Sequence, residues 1–289
     1  MTKDVLAIDA SVNFWTPEWI QSRPSWGETF FTAKMNADPR IARGLELEEM
    51  IERMDAAGIE QAFLIAGKTG RLGLPGCYHV PYEMVARAVG KYPRRFRALA
   101  GISPFDGMKG VRELRHAVKE MGFIGAHCYP HWFELAPDHA KYYPFYAECC
   151  ELDVPFLTQV GQSMVYDPNN PCRSVGRPIT LDAVACDFPE LKLVGIHIGI
   201  PWADEMIAMA WKHENVFILA DAHRPKYWPQ SFIHYLNTYG RRKVMFGTDF
   251  PVLDFVSTLD DIRGLGLRDD TYRALVRDNA VRIFKLDNR

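Results

Sequence analysis

Eight apolar runs of strand length recur along these 289 residues, and most are separated by a segment with helical periodicity. Val5–Asp9 comes first. Gln61–Ala66 follows the amphipathic segment Leu45–Ala57 and its Gly58 stop, Phe96–Ile102 follows Tyr82–Lys91, and Phe123–His127 follows Lys109–Met121. Pro155–Val160 comes after Tyr143–Leu152, Leu193–His197 after Leu181–Cys186, Val216–Ala220 after Ala203–Lys212, and Val244–Thr248 after Ser231–Tyr239. Such an unbroken alternation argues for a parallel sheet with helices outside it. Eight units favour the closed (β/α)8 TIM barrel, an α/β fold, over an open doubly wound sheet, and Asp270–Phe284 would seal the last turn. A barrel of roughly 250 residues is the usual size, and a chain that is 48% hydrophobic can bury the core it needs. Proline and glycine are spread as turn punctuation, with no linker or low-complexity tract. Residues 1–289 are therefore expected to form a single domain.

One long stretch escapes the pattern. Phe14–Arg43 carries Trp15, Trp19, Trp26, Phe30 and Phe31, and a loop of that length in a compact domain is usually functional or interacting. It points equally to a roof over a pocket and to a subunit contact in a homodimer. The formal net charge of −2 gives no reason to expect nucleic acid or an acidic membrane as partner. No apolar stretch approaches the ~18 residues of a membrane span, and Asp4 and Asp9 come too early for a secretory core. Six cysteines without a C-x-x-C pair or framework spacing read as reduced thiols in a cytoplasmic protein.

In a barrel the C-terminal strand tips converge on one pocket. Here they present Asn13 after the first strand, His127 and His131 after the fourth, Gln162 after the fifth and His197 after the sixth. Asp221, His223 and Arg224 end the seventh, and Asp249 ends the run Lys243-Val-Met-Phe-Gly-Thr-Asp-Phe-Pro251. A carboxylate so placed can act as general base, while His197, His223 or Arg224 can donate to an oxygen on which charge develops. Arg224 suits a bidentate grip on a carboxylate, with a surface salt bridge as the equal alternative. Asp221 is expected to orient a neighbour more than to act in chemistry. Lys68, in a loop without P-loop spacing, is either a counter-charge for an anionic substrate or a solvated surface charge.

Several stretches resemble the amidohydrolase-related family that includes aminocarboxymuconate-semialdehyde decarboxylase, resorcylate-type decarboxylases and metal-independent lactonases. They are Gly195-Ile-His197-Ile-Gly-Ile-Pro-Trp202 with Glu205, Trp211-Lys-His-Glu-Asn-Val216, Pro225-Lys-Tyr-Trp-Pro229, the run ending in Asp249-Phe-Pro251, and Asn279-Ala-Val-Arg-Ile-Phe284. The resemblance implies a His-x-His metal pair after the first strand, where this chain has Ser11 and Asn13. It implies a further ligand histidine at the end of the fifth, where Gln162 is aligned. Neutral hydroxyl and amide groups are poor zinc ligands, so no metal and no cofactor are expected, with Asn13 and Gln162 kept as hydrogen-bonding groups. The resulting expectation is metal-independent hydrolysis of a carboxylated cyclic small molecule, a lactone or related ester, with Asp249 as base and His197 beside it. The alternatives are decarboxylation of an aromatic or unsaturated acid, and a non-catalytic binding protein on the same scaffold.

Overall fold

The computed structural model describes residues 5–21, 30–35, 38–74, 76–165 and 172–286. Eight strands form one sheet in chain order: β1 (Ala7–Asn13), β2 (Ile59–Ala66), β3 (Phe96–Gly101), β4 (Gly125–Cys128), β5 (Phe156–Gln159), β6 (Leu193–Ile196), β7 (Val216–Ala220) and β8 (Val244–Phe246). All neighbours in that order pair in parallel. The expected barrel is the observed fold. Closure removes the free strand edges and runs through the segment after β8. Asp249 N donates to Ser11 O at 2.8 Å and Asn13 N to Phe250 O at 2.9 Å. The buried Asp9 carboxylate clasps the same seam. Its Oδ1 accepts from Ser11 N at 3.1 Å and Thr248 N at 3.0 Å, and its Oδ2 accepts from Thr248 Oγ1 at 2.6 Å.

Side chains alternate across each strand, so one set fills the barrel and the other meets the helices. Ile8, Phe63, Leu99, Leu157, Val194 and Leu219 belong to the interior set. Ala280, Ile283 and Phe284 of the terminal helix close against it, with Phe284 edge-on to Phe63 at 4.8 Å. The expected run Asp270–Phe284 is three pieces: Asp269–Arg273, a π-helical turn Ala274–Asp278, and Asn279–Phe284. A helix at Phe255–Arg263 has no counterpart in the sequence reading.

Two differences bear on the site. β1 does not stop at Asp9 but continues to Asn13, with a register irregularity between Asp9 and Val12. Ser11 and Asn13 are thus strand residues. The long aromatic segment contains short helical pieces, Pro17–Ile20, Phe30–Lys34 and Pro39–Ala42; Trp26 lies outside the described residues. Trp15 and Phe31 are buried in edge contact at 4.4 Å, and the Trp15 indole donates to Ile41 O at 2.7 Å. All six cysteines are free thiols. Among the described residues no helix is long and apolar enough to cross a membrane.

Candidate active site

The last three strand tips share an unusual backbone feature. Val194 and Ile196 point into the barrel, so strict alternation would turn the next side chain outward. Instead His197 and Ile198 take φ of +67° and +59°, and the His197 N–H donates to Asp221 Oδ1 at 2.7 Å. Ala222 (+60°) and Asp249 (+53°) turn likewise after β7 and β8. Non-glycine residues in this region are strained, and such strain is characteristic of functional sites. Gly247 supplies the room. A Cβ there would lie 3.1 Å from the Cβ atoms of both Asp221 and Ser11.

These turns bring three strong donor groups together. His197 Nε2 lies 3.6 Å from Asp249 Oδ2 and 3.8 Å from Asp221 Oδ2. His197 Nε2 and Asp221 Oδ2 are both buried and make no hydrogen bond. Asn13 clamps the third member: its Nδ2 donates to Asp249 Oδ1 at 2.8 Å and to Asp249 O and Phe250 O, while Tyr129 OH donates to Asn13 Oδ1. Gln159 meets His197 Nδ1 at 3.1 Å. Burial pushes the Asp221 carboxyl up to about 7 and the His197 imidazole down to about 3. A divalent cation among them would reverse that preference for Asp221, since a bound ion dominates the local field.

An imidazole and two carboxylates are suitable ligands for zinc or manganese, and three protein ligands are usual in an open catalytic site. The expectation that the cation site is lost counted only His197 and Asp249; Asp221 is the third group, so the donor set fits a divalent ion. Among the described residues one other trio of donors lies within 4.8 Å, Asp182, Cys186 and His213. It sits on the outer helices, and the Asp182 carboxylate is already bonded to Lys212 at 2.6 Å and His213 at 2.7 Å.

Over the cluster opens a cavity walled by Phe30, Phe31, Tyr78, Tyr129 and Trp132, with Met164, Val165 and Val252. Its polar wall includes Asn13, Gln159, Gln162, His197, His223 and Asp249, and no Lys or Arg among the described residues. The aromatic segment therefore roofs a pocket with Phe30 and Phe31. Of the sequence candidates, Asp249, His197, His223, Asn13 and Gln162 reach this wall. Burial, with the His197 charge second, holds His223 down to about 4, so it faces the cavity as a neutral imidazole.

The other expected contacts lie off this wall. His127 pairs in register with the inward Leu157 and is buried inside the barrel, off the cavity wall, with neither ring nitrogen hydrogen-bonded. His131 is also buried off the wall, its Nδ1 accepting from Val175 N at 3.0 Å. Lys68 does not line the described cavity and is not a solvated charge: it is buried, with its ammonium bonded to Asp106 at 2.8 Å and Glu113 at 3.2 Å. Arg224 pairs with Asp261 at 2.6 Å, beside a different surface hollow. The strand-tip residue that sequence reasoning missed is Gln159. Counting by two from the inward Leu157 finds it; carrying the strand to Val160 placed the amide at Gln162 instead, three residues out and exposed.

The sequence model of the family described as Amidohydrolase matches residues 8–286. A gamma-resorcylate decarboxylase of Polaromonas sp. strain JS666 is 24% identical over 256 residues, 71% of this chain and 75% of that one. A TIM-barrel protein of Bordetella bronchiseptica superposes with TM-score 0.77 at 23% identity, covering 98% of this chain and 99% of the other. The 5-carboxyvanillate decarboxylase of Novosphingobium aromaticivorans, solved with manganese and 4-hydroxy-3-methoxy-5-nitrobenzoic acid, gives 0.71 at 20% identity over 98% and 96%. The relatives' named activity is removal of a carboxyl group. That overturns the expected metal-independent hydrolysis of a lactone or ester, and the decarboxylation alternative fits better.

Proposed function

This chain belongs to the amidohydrolase family of enzymes, and on that footing we propose that it is a carboxy-lyase acting on an aromatic carboxylic acid. The observation that carries the reading is the meeting of His197, Asp221 and Asp249 beneath an aromatic-walled cavity. In the reaction, the bond between a ring carbon and the carboxyl carbon breaks. Carbon dioxide leaves, the electron pair stays on the ring carbon, and a proton takes the vacated place. His197, Asp221 and Asp249 would hold a divalent cation, which supplies positive charge for the substrate's oxygens when bound. This matters because the described wall offers no lysine or arginine to meet a carboxylate.

The chain's own groups do the rest. Phe30, Tyr129 and Trp132 offer faces and edges against which an aromatic ring packs favourably. Neutral His223 donates to a substrate oxygen. Asn13 holds Asp249 through Oδ1, and Oδ2 lies toward His197; Asp249 would carry the proton to the ring carbon while His197 and Asp221 hold the cation. Delivery leaves Asp249 ionised with its orientation still fixed by Asn13.

The test is a panel of ortho- and para-hydroxylated benzoic acids with manganese or zinc supplied. Carbon dioxide release is measured directly, and in deuterium oxide the vacated ring position should carry deuterium. Asp249→Asn should lower the rate about 10²–10⁴-fold, the usual span for a proton-transfer group. No release from any acid by the metal-supplied protein, or full release by Asp249→Asn, refutes the reading.

A further inference from the structure

The neutral imidazole of His197 has one proton for two nitrogens, and the neighbours of each are known. Nδ1 meets the Gln159 side-chain amide at 3.1 Å; Nε2 has no hydrogen bond and faces the carboxylates of Asp249 and Asp221 at 3.6 and 3.8 Å. The contact with Gln159 is built into the barrel. Parallel pairing sets Gln159 beside Ile196, the residue before His197, and the glutamine is itself buried. We propose that Gln159 is the positioning residue that sets which nitrogen of His197 carries the proton, and so whether Nε2 offers the two carboxylates a donor or offers a cation a lone pair.

A glutamine presents either N–H or C=O at one place by turning through half a circle, whereas an ionised carboxylate only accepts and an aliphatic group does neither. With its N–H toward His197, Nδ1 must be the acceptor. The proton then sits on Nε2, between two carboxylates, which is the favourable arrangement while no cation is bound. With its C=O toward His197, Nδ1–H becomes the donor and Nε2 is left with a lone pair aimed at the carboxylate pair. A metal-ligating histidine almost always donates its other N–H to such an acceptor, and loss of the acceptor weakens metal binding. Gln159 can meet both needs in turn without moving its backbone. The second half of this inference uses the cation-holding trio of the functional reading; the first half does not.

The tautomer is read by long-range proton–nitrogen correlation on protein labelled with ¹⁵N-histidine, with the His197 signals assigned by their loss in His197→Gln. In metal-free protein the proton should be on Nε2, and zinc, which is diamagnetic, should move it to Nδ1. Gln159→Glu, measured at pH 8, offers only an acceptor and should place the proton on Nδ1 without metal. Gln159→Leu removes the acceptor and should weaken zinc binding about 10- to 100-fold, read by titration calorimetry, with an unchanged far-ultraviolet spectrum as fold control. A proton still on Nε2 in Gln159→Glu, or zinc affinity unchanged in Gln159→Leu, overturns the proposal. Should wild type bind no zinc, the Gln159→Glu tautomer alone decides it, and the cation reading falls separately. Carbon dioxide release plays no part in either readout.

Discussion

Asp9 gives the sharpest test of how the barrel closes. Its carboxylate takes three donors across the seam, two of them buried backbone N–H groups, Ser11 N and Thr248 N, and the third the Thr248 hydroxyl. Asp9→Ala strands all three. An orphaned buried donor costs about 1–3 kcal/mol, so allowing for relaxation and for the carboxyl no longer buried, the loss should be about 3–5 kcal/mol. Asp9→Asn keeps an oxygen for the two N–H groups, and the Thr248 hydroxyl can rotate to accept from the new amide, so its cost should be about 1 kcal/mol or less.

The pH dependence of Asp9 separates packing from charge. Burial pushes the Asp9 carboxyl up to about 7, against the pull of the Thr248 and Ser11 donors. The folded state then keeps a proton that the unfolded chain releases near the usual carboxylate value of about 4. Stability from this group is therefore full below about pH 4, falls as pH rises to about 7, and is level above that, a total of at most about 4 kcal/mol. Asp9→Asn should flatten that segment of the profile. Urea unfolding across pH 4–8 at constant m-value measures both effects. Asp9→Ala within 1 kcal/mol of wild type, or an undiminished slope in Asp9→Asn, refutes the reasoning.

Four further outcomes follow. Lys68→Met leaves two half-exposed carboxylates facing each other and should cost about 2 kcal/mol with KM unchanged; a tenfold rise in KM would restore Lys68 to the substrate. Arg224→Ala should cost about 1 kcal/mol or less and leave kcat/KM alone, because neither Arg224 nor its partner Asp261 lines the cavity. Chelator-stripped protein given zinc at a hundred times its Kd should gain about 2.7 kcal/mol, and Asp221→Asn should lose most of that gain; an equal gain in the variant removes Asp221 from the donor set. Gly247→Ala pushes Asp221 and Ser11 apart by a few tenths of an ångström and should cost about 1–3 kcal/mol with a larger proportional loss of kcat, which parallel stability and activity curves will separate.

The elements readable from sequence are those whose periodicity is uninterrupted. Tyr82–Lys91, Tyr143–Leu152, Ala203–Lys212 and Val216–Ala220 keep their expected limits, because each presents one continuous apolar face or run to its neighbours. β1 was cut short for the opposite reason. Asp9 and Asn13 are polar because their side chains serve the seam and the site, so an apolar criterion ends the strand where its work begins.

The site shows a second kind of gap. Which residues reach the strand tips follows from counting, but which of them are already engaged depends on partners far along the chain. Lys68 is taken by Asp106 and Glu113, 38 and 45 residues on, and Arg224 by Asp261, 37 residues on. Neither pairing has a local signature. Asp221 joins the donor trio because Gly247, just past β8, has no side chain to hold it off. Matching ligand positions one by one across a family therefore leaves out a donor that another strand supplies. Ser11, Asn13 and Gln159 bring no formal charge to the tips of β1 and β5, while Asp221 adds a carboxylate at the tip of β7. The capacity of a barrel mouth to hold a cation follows from the charge gathered there, whichever strand carries it.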